Sequence, residues 1–267
     1  MQVKRVGLLS AEVQVGDLTV IALSDGQTVM PATHLRGQDG EPLDAAAMAG
    51  ADLVDGKLRL QVMAFVVRGP DGCVLIDTGA ADAWHPTLGL LPQAMAEAGI
   101  DAGDISVVAL THTHIDHISG LVGADGALAF PNAVVFVPEA EMGLFRAEAR
   151  MAPVLPCAVM MQPGEGVMPG VMAIAAPGHE VGHMAFLVAG QLLIWGDIIH
   201  HPAIQFAAPA VTWAFDTDPV LARSSRLSLM ARAASEDWPV AGAHLAFPGI
   251  GRIRVAGDGY AFSPIRV

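Results

Sequence analysis

The chain has 267 residues, a hydrophobic fraction of 53% and a formal net charge of −13 at pH 7. This charge argues against a nucleic-acid partner, because phosphates are neutralised by clustered Lys and Arg, and Lys4 and Lys57 are the only lysines. No apolar run is long enough for a transmembrane helix, and the N-terminus lacks the apolar core of a signal peptide. Cys73 and Cys157 do not make a disulfide framework. We therefore expect a cytoplasmic protein with a large core and no membrane partner.

The N-terminal part predicts strands on either side of an irregular arm. Residues 13–23 alternate apolar and polar side chains, which is typical of a strand, and Ser24-Asp25-Gly26 predicts the turn that ends it. The arm at about 27–56 is broken by prolines and glycines, and such a segment is a lid, an interface arm or a disordered loop. The next predicted elements are a hairpin at 58–67 and 73–76, a helix at 86–99 and a buried strand at 105–110.

The C-terminal half again groups strands around helices. Residues 151–170 are rich in Pro, Gly and Met and predict a loop near the mouth of a site. Strands grouped around helices in two successive halves predict an α/β fold with αβ/βα layers. The predicted elements are strands at 134–137, 171–176, 184–188 and 191–195, a helix at 139–150, and a helix from Asp218-Pro219 to about 235 that buries Leu221, Leu227 and Met230.

Four candidate metal ligands fall within the segment Thr111-His112-Thr113-His114-Ile115-Asp116-His117, directly after the apolar strand. Residues two apart in an extended segment point the same way, so His112 and His114 can bind one cation from one side. Asp116 and His117, beyond the bend, can reach a second position. Imidazole and carboxylate ligands suit zinc, with manganese, iron or cobalt as alternatives. Because four ligands cannot complete two coordination shells, the cluster predicts further ligands downstream.

Three later strands each lead into a further candidate ligand. His179 lies in Pro177-Gly178-His179, Asp197 ends the strand that begins at Leu192, and His244 ends the strand that begins at Val240. Taken singly, such residues are more often caps or solvated side chains, and the alternative for the first cluster is a solvated polar loop. Taken together, they favour a metal site.

His-x-His-x-Asp-His, Pro-Gly-His, Gly-Asp and the late histidine, in this order, resemble the metallo-β-lactamase-fold hydrolase superfamily from about Asp77 onward. The resemblance implies one domain over residues 1–267, folded as a four-layer αβ/βα sandwich of the metallo-β-lactamase type. It also implies two divalent cations. Their ligands would be His112, His114 and His179 for one cation, Asp116, His117 and His244 for the other, and Asp197 as a bridge between them.

Two further residues take supporting roles under this resemblance. Asp77, in Leu75-Ile76-Asp77-Thr78-Gly79, matches the superfamily's first motif, in which the carboxylate orients the histidine cluster instead of binding metal. His183 is interpreted as a hydrogen-bonded structural residue beside the ligands.

A narrower similarity, to the methyl parathion hydrolase branch, lies in Ser24-Asp25-Gly26, Pro86-Thr87-Leu88-Gly89, Ala203-Ile204-Gln205-Phe206 and the segments 242–251 and 257–260. This similarity implies an apolar, partly aromatic leaving-group pocket for a small-molecule substrate. The family also implies a homodimer, to which the arm at 27–56 would contribute. By position the pocket would include Trp84, Phe145 and Phe215, for which ordinary core packing is the alternative.

One departure concerns the quorum-quenching lactonases of the superfamily, which use a tyrosine shortly after the bridging aspartate. The only tyrosine of this chain is Tyr260, in the C-terminal tail. His200, three residues after Asp197, is therefore the candidate for a substrate contact or a proton donor. A solvated loop histidine is the alternative.

Together these features predict a dinuclear metal-dependent hydrolase of esters, lactones or phosphotriesters, with a quorum-quenching-type lactonase as the nearest alternative. Two cations that share Asp197 would ionise a bridging water, and the hydroxide would attack carbon or phosphorus while Asp116 helps to shuttle the proton. A di-iron oxidoreductase is a rival, but such enzymes usually carry a flavin-binding partner domain, for which this chain is too short. A non-catalytic metal-binding protein is another rival, but its ligand set is usually degraded.

Overall fold

The structure is a computed structural model that describes residues 3–265. Two β-sheets pack face to face and helices cover their outer faces, so the predicted four-layer αβ/βα fold is confirmed. The strands are β1 (Val3–Arg5), β2 (Ser10–Val15), β3 (Leu18–Pro31), β4 (Leu35–Arg36), β5 (Leu53–Val54), β6 (Lys57–Gly69), β7 (Gly72–Ile76), β8 (Val107–Ala109), β9 (Val134–Pro138), β10 (Ala158–Met161), β11 (Gly166–Met168), β12 (Val171–Ala175), β13 (Met184–Val188), β14 (Leu192–Ile194), β15 (Thr212–Trp213), β16 (Val240–Ala241), β17 (Ile250–Ala256) and β18 (Gly259–Pro264). The α-helices are α1 (Leu91–Glu97), α2 (Ile115–Ile118), α3 (Met142–Ala147), α4 (Pro202–Gln205) and α5 (Pro219–Ser235).

The first sheet has the strand order β1-β2-β3-β6-β7-β8-β9-β10, with β5 paired to β6, and the second has the order β11-β12-β13-β14-β16-β17-β18. A small third sheet joins β4 to β15. Strands β7, β8 and β9 run parallel, with Val108 opposite both Leu75 and Val135. Parallel neighbours need a crossover connection, and the segment that contains α1 supplies the one between β7 and β8. The carboxyl ends of these strands therefore meet at one edge of the sheet.

Strand β3 shows how one strand contributes to two cores. Val20 and Ala22 pack between the two sheets with Phe186, whereas Ile21 and Leu23 pack under the helices on the outer face. Successive side chains point to opposite faces, so a strand that is buried on both faces is apolar throughout. Helix α5 covers the outer face of the second sheet in the same way. None of the helices described is both long enough and apolar enough to span a membrane.

The segment Ser24-Asp25-Gly26 differs from its prediction, because it forms a bulge inside β3 and not a turn. The register between β3 and β6 shifts between Ser24 and Gly26, and the strand then continues to Pro31. Gly26 has a φ of 111°, which a residue with a Cβ rarely adopts. The predicted arm at 27–56 therefore begins as a paired strand. The helices predicted at 86–99 and 139–150 are shorter, at Leu91–Glu97 and Met142–Ala147.

Candidate metal centre

The candidate ligands lie at one edge of the two sheets, where strands end. Asp77 follows β7, the segment Thr111–His117 follows β8, and the segment Pro177–His183 joins β12 to β13. Asp197 and His244 follow β14 and β16, which are parallel neighbours in the second sheet. Because the sheets pack against each other, residues that are far apart in the sequence converge at this edge.

The potential ligand atoms form two groups, and each group draws on different parts of the chain. Within each group the ligand atoms lie within 4.8 Å of one another. The first group consists of His112, His114, His179 and Asp197, and the second of Asp116, His117 and His244.

The carboxylate of Asp197 lies between the two groups. Its Oδ2 is 3.3 Å from His179 Nε2, a member of the first group, and 3.1 Å from His244 Nε2, a member of the second. Its Oδ1 is 3.2 Å from His117 Nε2. A carboxylate placed in this way can offer one oxygen to each of two cations.

The donor atoms of the cluster fit divalent cations. Among residues 3–265, the buried atoms His112 Nε2, His117 Nε2 and Asp197 Oδ1 have no hydrogen-bond partner. Buried polar atoms are nearly always hydrogen-bonded in native proteins, so several unpartnered atoms at one point need a reason. Imidazole nitrogen and carboxylate oxygen are the donors that zinc and similar divalent ions prefer. Cation binding supplies that reason.

Asp77 holds the first histidine segment in position. Its Oδ1 accepts a hydrogen bond from the Thr111 backbone N–H at 2.8 Å, and its Oδ2 lies 2.8 Å from His117 Nδ1. An Nδ1–H of His117 that donates to Asp77 leaves Nε2 with its lone pair facing the cluster. Asp77 itself has a φ of 59°, a left-handed conformation that Asp tolerates better than most residues.

Other ligand histidines have partners that sequence reasoning missed. His179 Nδ1 lies 2.9 Å from Asp216 Oδ1, and His114 Nε2 lies 2.9 Å from Glu180 Oε1. The backbone carbonyl of Gln61, in β6, lies 2.7 Å from His244 Nδ1 and orients that ring in the same way. Glu180 directly follows a ligand in the sequence, which is a signal that could have identified it. Asp216 lies in an irregular segment before α5 and belongs to no motif.

We expect Asp216→Asn to lower zinc affinity by about 10–100-fold, the usual effect of removing a group that orients a ligand histidine. The amide cannot replace the carboxylate as the charged acceptor for His179 Nδ1–H. Competition with a chromophoric chelator measures the affinity. Asp218→Asn is the matched control, because Asp218 caps α5 by accepting from Val220 and Leu221 N–H groups and contacts no ligand. Equal zinc affinity in the two variants would contradict the prediction.

His183 lies beside the ligand groups and supports the backbone of the bridge residue. Its Nδ1 lies 3.0 Å from the Ala176 carbonyl, and its Nε2 accepts a hydrogen bond from the Asp197 backbone N–H at 3.1 Å. Burial lowers the pKa of His183 to about 3, so the ring is neutral and can act as donor and acceptor at once.

Burial and neighbouring charges shift the pKa values of the cluster in different directions. Burial, reinforced by the neighbouring histidines, holds the pKa of His112 well below its ordinary value. Burial also disfavours the charged form of His179, but hydrogen bonds to Asp197 and Asp216 outweigh it and raise the pKa to about 9. At Asp197, burial is outweighed by the surrounding histidine charges, which hold the pKa well below its usual range. Asp197 is therefore a carboxylate at neutral pH.

Gly178, in the Pro177-Gly178-His179 motif, packs against the backbone of α5. Its φ is 126°, and a Cβ would lie 2.0 Å from the backbone nitrogen of Ala222. We expect Gly178→Ala to lower the free energy of unfolding by more than about 1 kcal/mol, because the conformation and the contact both disfavour a side chain. Gly164→Ala is the matched control, since Gly164 has a φ of 89° but open space around its Cβ position. Chemical denaturation measures both, and equal losses would show that the contact with Ala222 is unimportant.

A mostly apolar cavity of about 310 Å³ opens above the ligand atoms. Trp84 and Phe215 line it, whereas Phe145 does not. The assignment of Phe145 to the pocket is corrected: the side chain is fully buried in the core between the first sheet and its helices, because α3 turns its apolar face to the sheet. The wall also contains Met30, Leu60 and Trp213, which the sequence analysis did not identify.

His200 lies in the wall of the cavity and is 1% exposed, so it is not a solvated loop histidine. Its ring stacks on Trp213 at 4.7 Å between ring centres, and its Nε2 lies 3.2 Å from Asp197 Oδ2. Neither ring nitrogen has a hydrogen-bond partner in the described part of the chain. Burial lowers the pKa of His200 to about 3, so the ring is neutral. With Asp197 and His244 it forms a third set of atoms close enough to share a cation.

Comparisons with known proteins agree with this geometry. The sequence profile of the Metallo-beta-lactamase superfamily matches residues 58–244. The N-acyl homoserine lactonase AiiA of Bacillus thuringiensis subsp. kurstaki is 27% identical over 58% of this chain and 70% of the lactonase. The solved structure of the hydrolase AbOPH is 26% identical, with a TM-score of 0.86 over 97% of this chain and 98% of that chain. AidC, a dizinc quorum-quenching lactonase, is 22% identical, with a TM-score of 0.84 over 96% of this chain and 97% of that chain.

The matched profile spans most of the chain and includes all seven candidate ligands, of which His244 is its last residue. Its lower boundary lies at the start of β6 and its upper boundary follows β16, so the match covers the central strands of both sheets and the edge at which the ligands meet. The chain therefore belongs to the metallo-beta-lactamase superfamily, and it is a metal-dependent hydrolase.

Proposed function

We propose that this protein holds two zinc ions and hydrolyses neutral lactones and related esters. The observation that carries the proposal is the pair of ligand groups with the Asp197 carboxylate between them at the floor of an apolar cavity. The lactonase relatives support lactones as the first substrate class, and the dizinc lactonase with the same fold supports zinc. The motif similarity to the methyl parathion hydrolase branch makes neutral phosphotriesters the second class.

The residues that would hold the ions are those of the two groups. When bound there, zinc supplies an ionised water as the nucleophile and stabilises the charge that develops on the substrate oxygen. One ion would be held by His112, His114 and His179, the other by Asp116, His117 and His244, with Asp197 common to both.

Asp116 and His200 are the chain's own polar groups that act on the substrate in this proposal. Asp116 is 8% exposed and lines the cavity, so its carboxylate is placed to accept a proton and to return it to the leaving alkoxide. The neutral ring of His200 can donate an N–H to the substrate. His200 would thus replace the tyrosine that quorum-quenching lactonases carry.

The wall of the cavity favours neutral substrates. Within residues 3–265, no Lys or Arg lines it, and its non-ligand wall is made of Met30, Leu60, Trp84, Trp213 and Phe215 among others. An anionic ester would leave water without gaining a cationic side chain as partner, which is unfavourable. Lactones, aryl esters and phosphotriesters are all neutral, so they are the substrate classes to compare.

Zinc-reconstituted protein should be assayed with an N-acyl homoserine lactone, an aryl acetate and a dialkyl aryl phosphate. We expect the highest kcat/KM for the lactone, loss of all turnover with a chelator, and recovery with added zinc. A higher kcat/KM for the phosphotriester would reverse the order of the two substrate classes. No turnover of any substrate by protein with two bound zinc ions would overturn the proposal. Bound iron with visible absorbance would favour the oxidoreductase instead.

We expect His200→Ala to lower kcat on the lactone by about 100-fold with little change in KM, because a positioned proton donor acts mainly in the transition state. The zinc content should stay unchanged. His201→Ala is the matched control, since His201 is also buried but does not line the cavity. Loss of zinc from His200→Ala would contradict the prediction and would identify His200 as a ligand.

A further inference from the structure

A second cavity, of about 790 Å³, lies beside the catalytic cavity, and Trp84 is the only described residue that lines both. Met95, Ile100, Val122 and Phe130 line the second cavity and are themselves buried, so they form an apolar floor. The catalytic cavity, at about 310 Å³, is at the lower end of the roughly 300–1,000 Å³ that ligand sites usually have. A substrate with a long apolar chain needs more space than the catalytic cavity offers.

The loop that carries Trp84 is fixed to the bulge in β3. The buried carboxylate of Asp25 accepts hydrogen bonds from the backbone N–H groups of Ala80 at 2.8 Å and Leu91 at 2.9 Å, one on each side of Trp84. These contacts give a structural role to the Ser24-Asp25-Gly26 motif, which takes no part in the proposed hydrolysis. The half-buried ring of Trp84 is therefore a fixed partition between the two cavities.

The charges around the second cavity indicate which chemical group it accepts. Arg150 is the only Lys or Arg among its described lining residues, and its Nε and Nη2 atoms already have partners. Nε donates to the Ser119 carbonyl at 3.1 Å, Nη2 donates to the Val122 carbonyl at 2.8 Å, and Nη2 also lies 2.8 Å from Asp82 Oδ1. Arg150 is thus paired with Asp82, the Asp25 carboxylate already accepts backbone N–H groups, and Asp101 is exposed to solvent, so the apolar floor itself carries no charge. The cavity suits a neutral, apolar group.

We propose that the apolar chain of the substrate crosses the exposed edge of Trp84 and lies in the second cavity, while the scissile bond stays at the ligand cluster. This inference rests on the proposed function and specifies its substrate class as lactones or esters with a long neutral alkyl chain. Each methylene that leaves water for an apolar surface contributes about a four-fold gain in kcat/KM. Chain-length preference is therefore the property that the second cavity controls.

Ala96→Phe tests the inference, because Ala96 is exposed on α1, lines the second cavity and is absent from the catalytic one. With 4-nitrophenyl esters, we expect this variant to lower kcat/KM for the dodecanoyl ester by at least about ten-fold. The acetyl ester should change by less than about two-fold, because it does not reach past Trp84. Gln93→Phe is the matched control, since Gln93 is exposed on the same helix and lines neither cavity.

Equal losses for the two esters in Ala96→Phe would overturn the inference, and so would equal effects of Ala96→Phe and Gln93→Phe. Calorimetry with two amide probes, N-decanoyl and N-butanoyl cyclopentylamide, gives a readout that does not need turnover. We expect wild type to bind the decanoyl probe at least about ten-fold more tightly than the butanoyl probe, and Ala96→Phe to remove this difference. If zinc-loaded wild type hydrolyses neither these esters nor the lactone, the proposed function fails, and the binding measurement alone decides whether the second cavity holds the alkyl chain.

Discussion

Asp197→Asn is expected to remove both zinc ions and to lower kcat/KM on the lactone by at least about 10³-fold, the upper range for removal of one electrostatic contact from a transition state. The carboxylate lies 3.3 Å from His179 Nε2 and 3.1 Å from His244 Nε2, so it can reach a cation held by either ligand group. An amide of the same size replaces one oxygen donor with an NH₂ group that cannot bind a cation. Zinc per chain, measured by atomic emission, and kcat/KM are the two readouts.

Asp17→Asn is the matched control for this loss. Asp17 is exposed in the turn between β2 and β3, away from the ligand edge, so the same chemical change should leave zinc content and kcat/KM unaltered. Removal of a histidine ligand from the first group supplies a second check. His112→Ala should empty the first group and lower turnover, whereas an Asp197→Asn protein that keeps two zinc ions and full activity would refute the bridging role.

The candidate ligands could be predicted because they lie in short segments that follow apolar strands. His112, Asp197 and His244 all come after runs that read as buried, and the ends of buried strands converge in a layered α/β fold. The residues that orient the ligands could not be predicted in the same way. Asp216 reaches His179 from an irregular segment, and tertiary contacts of that segment, such as the Thr217 N–H that donates to the His179 carbonyl, bring the two side chains to 2.9 Å.

The aromatic residues that line the pocket could not be predicted from the sequence either. Phe145 and Trp213 both lie in apolar stretches of the sequence, and the spacing of apolar residues does not reveal which of the two side chains faces the site. Phe145 lies on the face of α3 that packs against the first sheet, whereas Trp213 reaches the cavity because β15 pairs with β4. That pairing joins residues near positions 36 and 212, and it depends on tertiary contacts that no local pattern encodes.

Helix α5 was predicted with nearly its observed bounds, but its buried face differs from the prediction. Met230 is fully buried as predicted, but Leu221 and Leu227 are 40% and 39% exposed, while Arg226 is 1% exposed. A fully buried arginine is rare unless its donors are satisfied, so hydrophobic periodicity alone places this residue at the surface. The buried face therefore includes Arg226 beside Met230, and the polar contacts of Arg226 satisfy its donors there.

Those contacts connect α5 to the segment that follows the bridging carboxylate. Arg226 Nε donates to the Ile198 carbonyl at 2.7 Å, and its Nη1 donates to the Val211 carbonyl at 2.6 Å and the Pro209 carbonyl at 3.1 Å. Its Nη2 lies 3.7 Å from Asp216 Oδ2. Arg226 therefore supports the carboxylate that orients His179, although it is remote from the ligand atoms in sequence.

Arg226→Ala is expected to lower the free energy of unfolding by about 3–5 kcal/mol, the usual loss when one partner of a buried ion pair is removed. The Ile198 and Pro209 carbonyl groups lose the guanidinium donor, the Val211 carbonyl keeps only its hydrogen bond from Gln205 Nε2, and Asp216 loses the nearest guanidinium. Denaturation should be measured on chelator-treated protein, because bound zinc would add stability of its own. Arg223→Ala, one turn earlier on the same helix and without the buried contacts, is the matched control and should change stability by less than about 0.5 kcal/mol. Equal stability of the two variants would show that the carbonyl contacts of Arg226 do not hold α5 against the ligand edge.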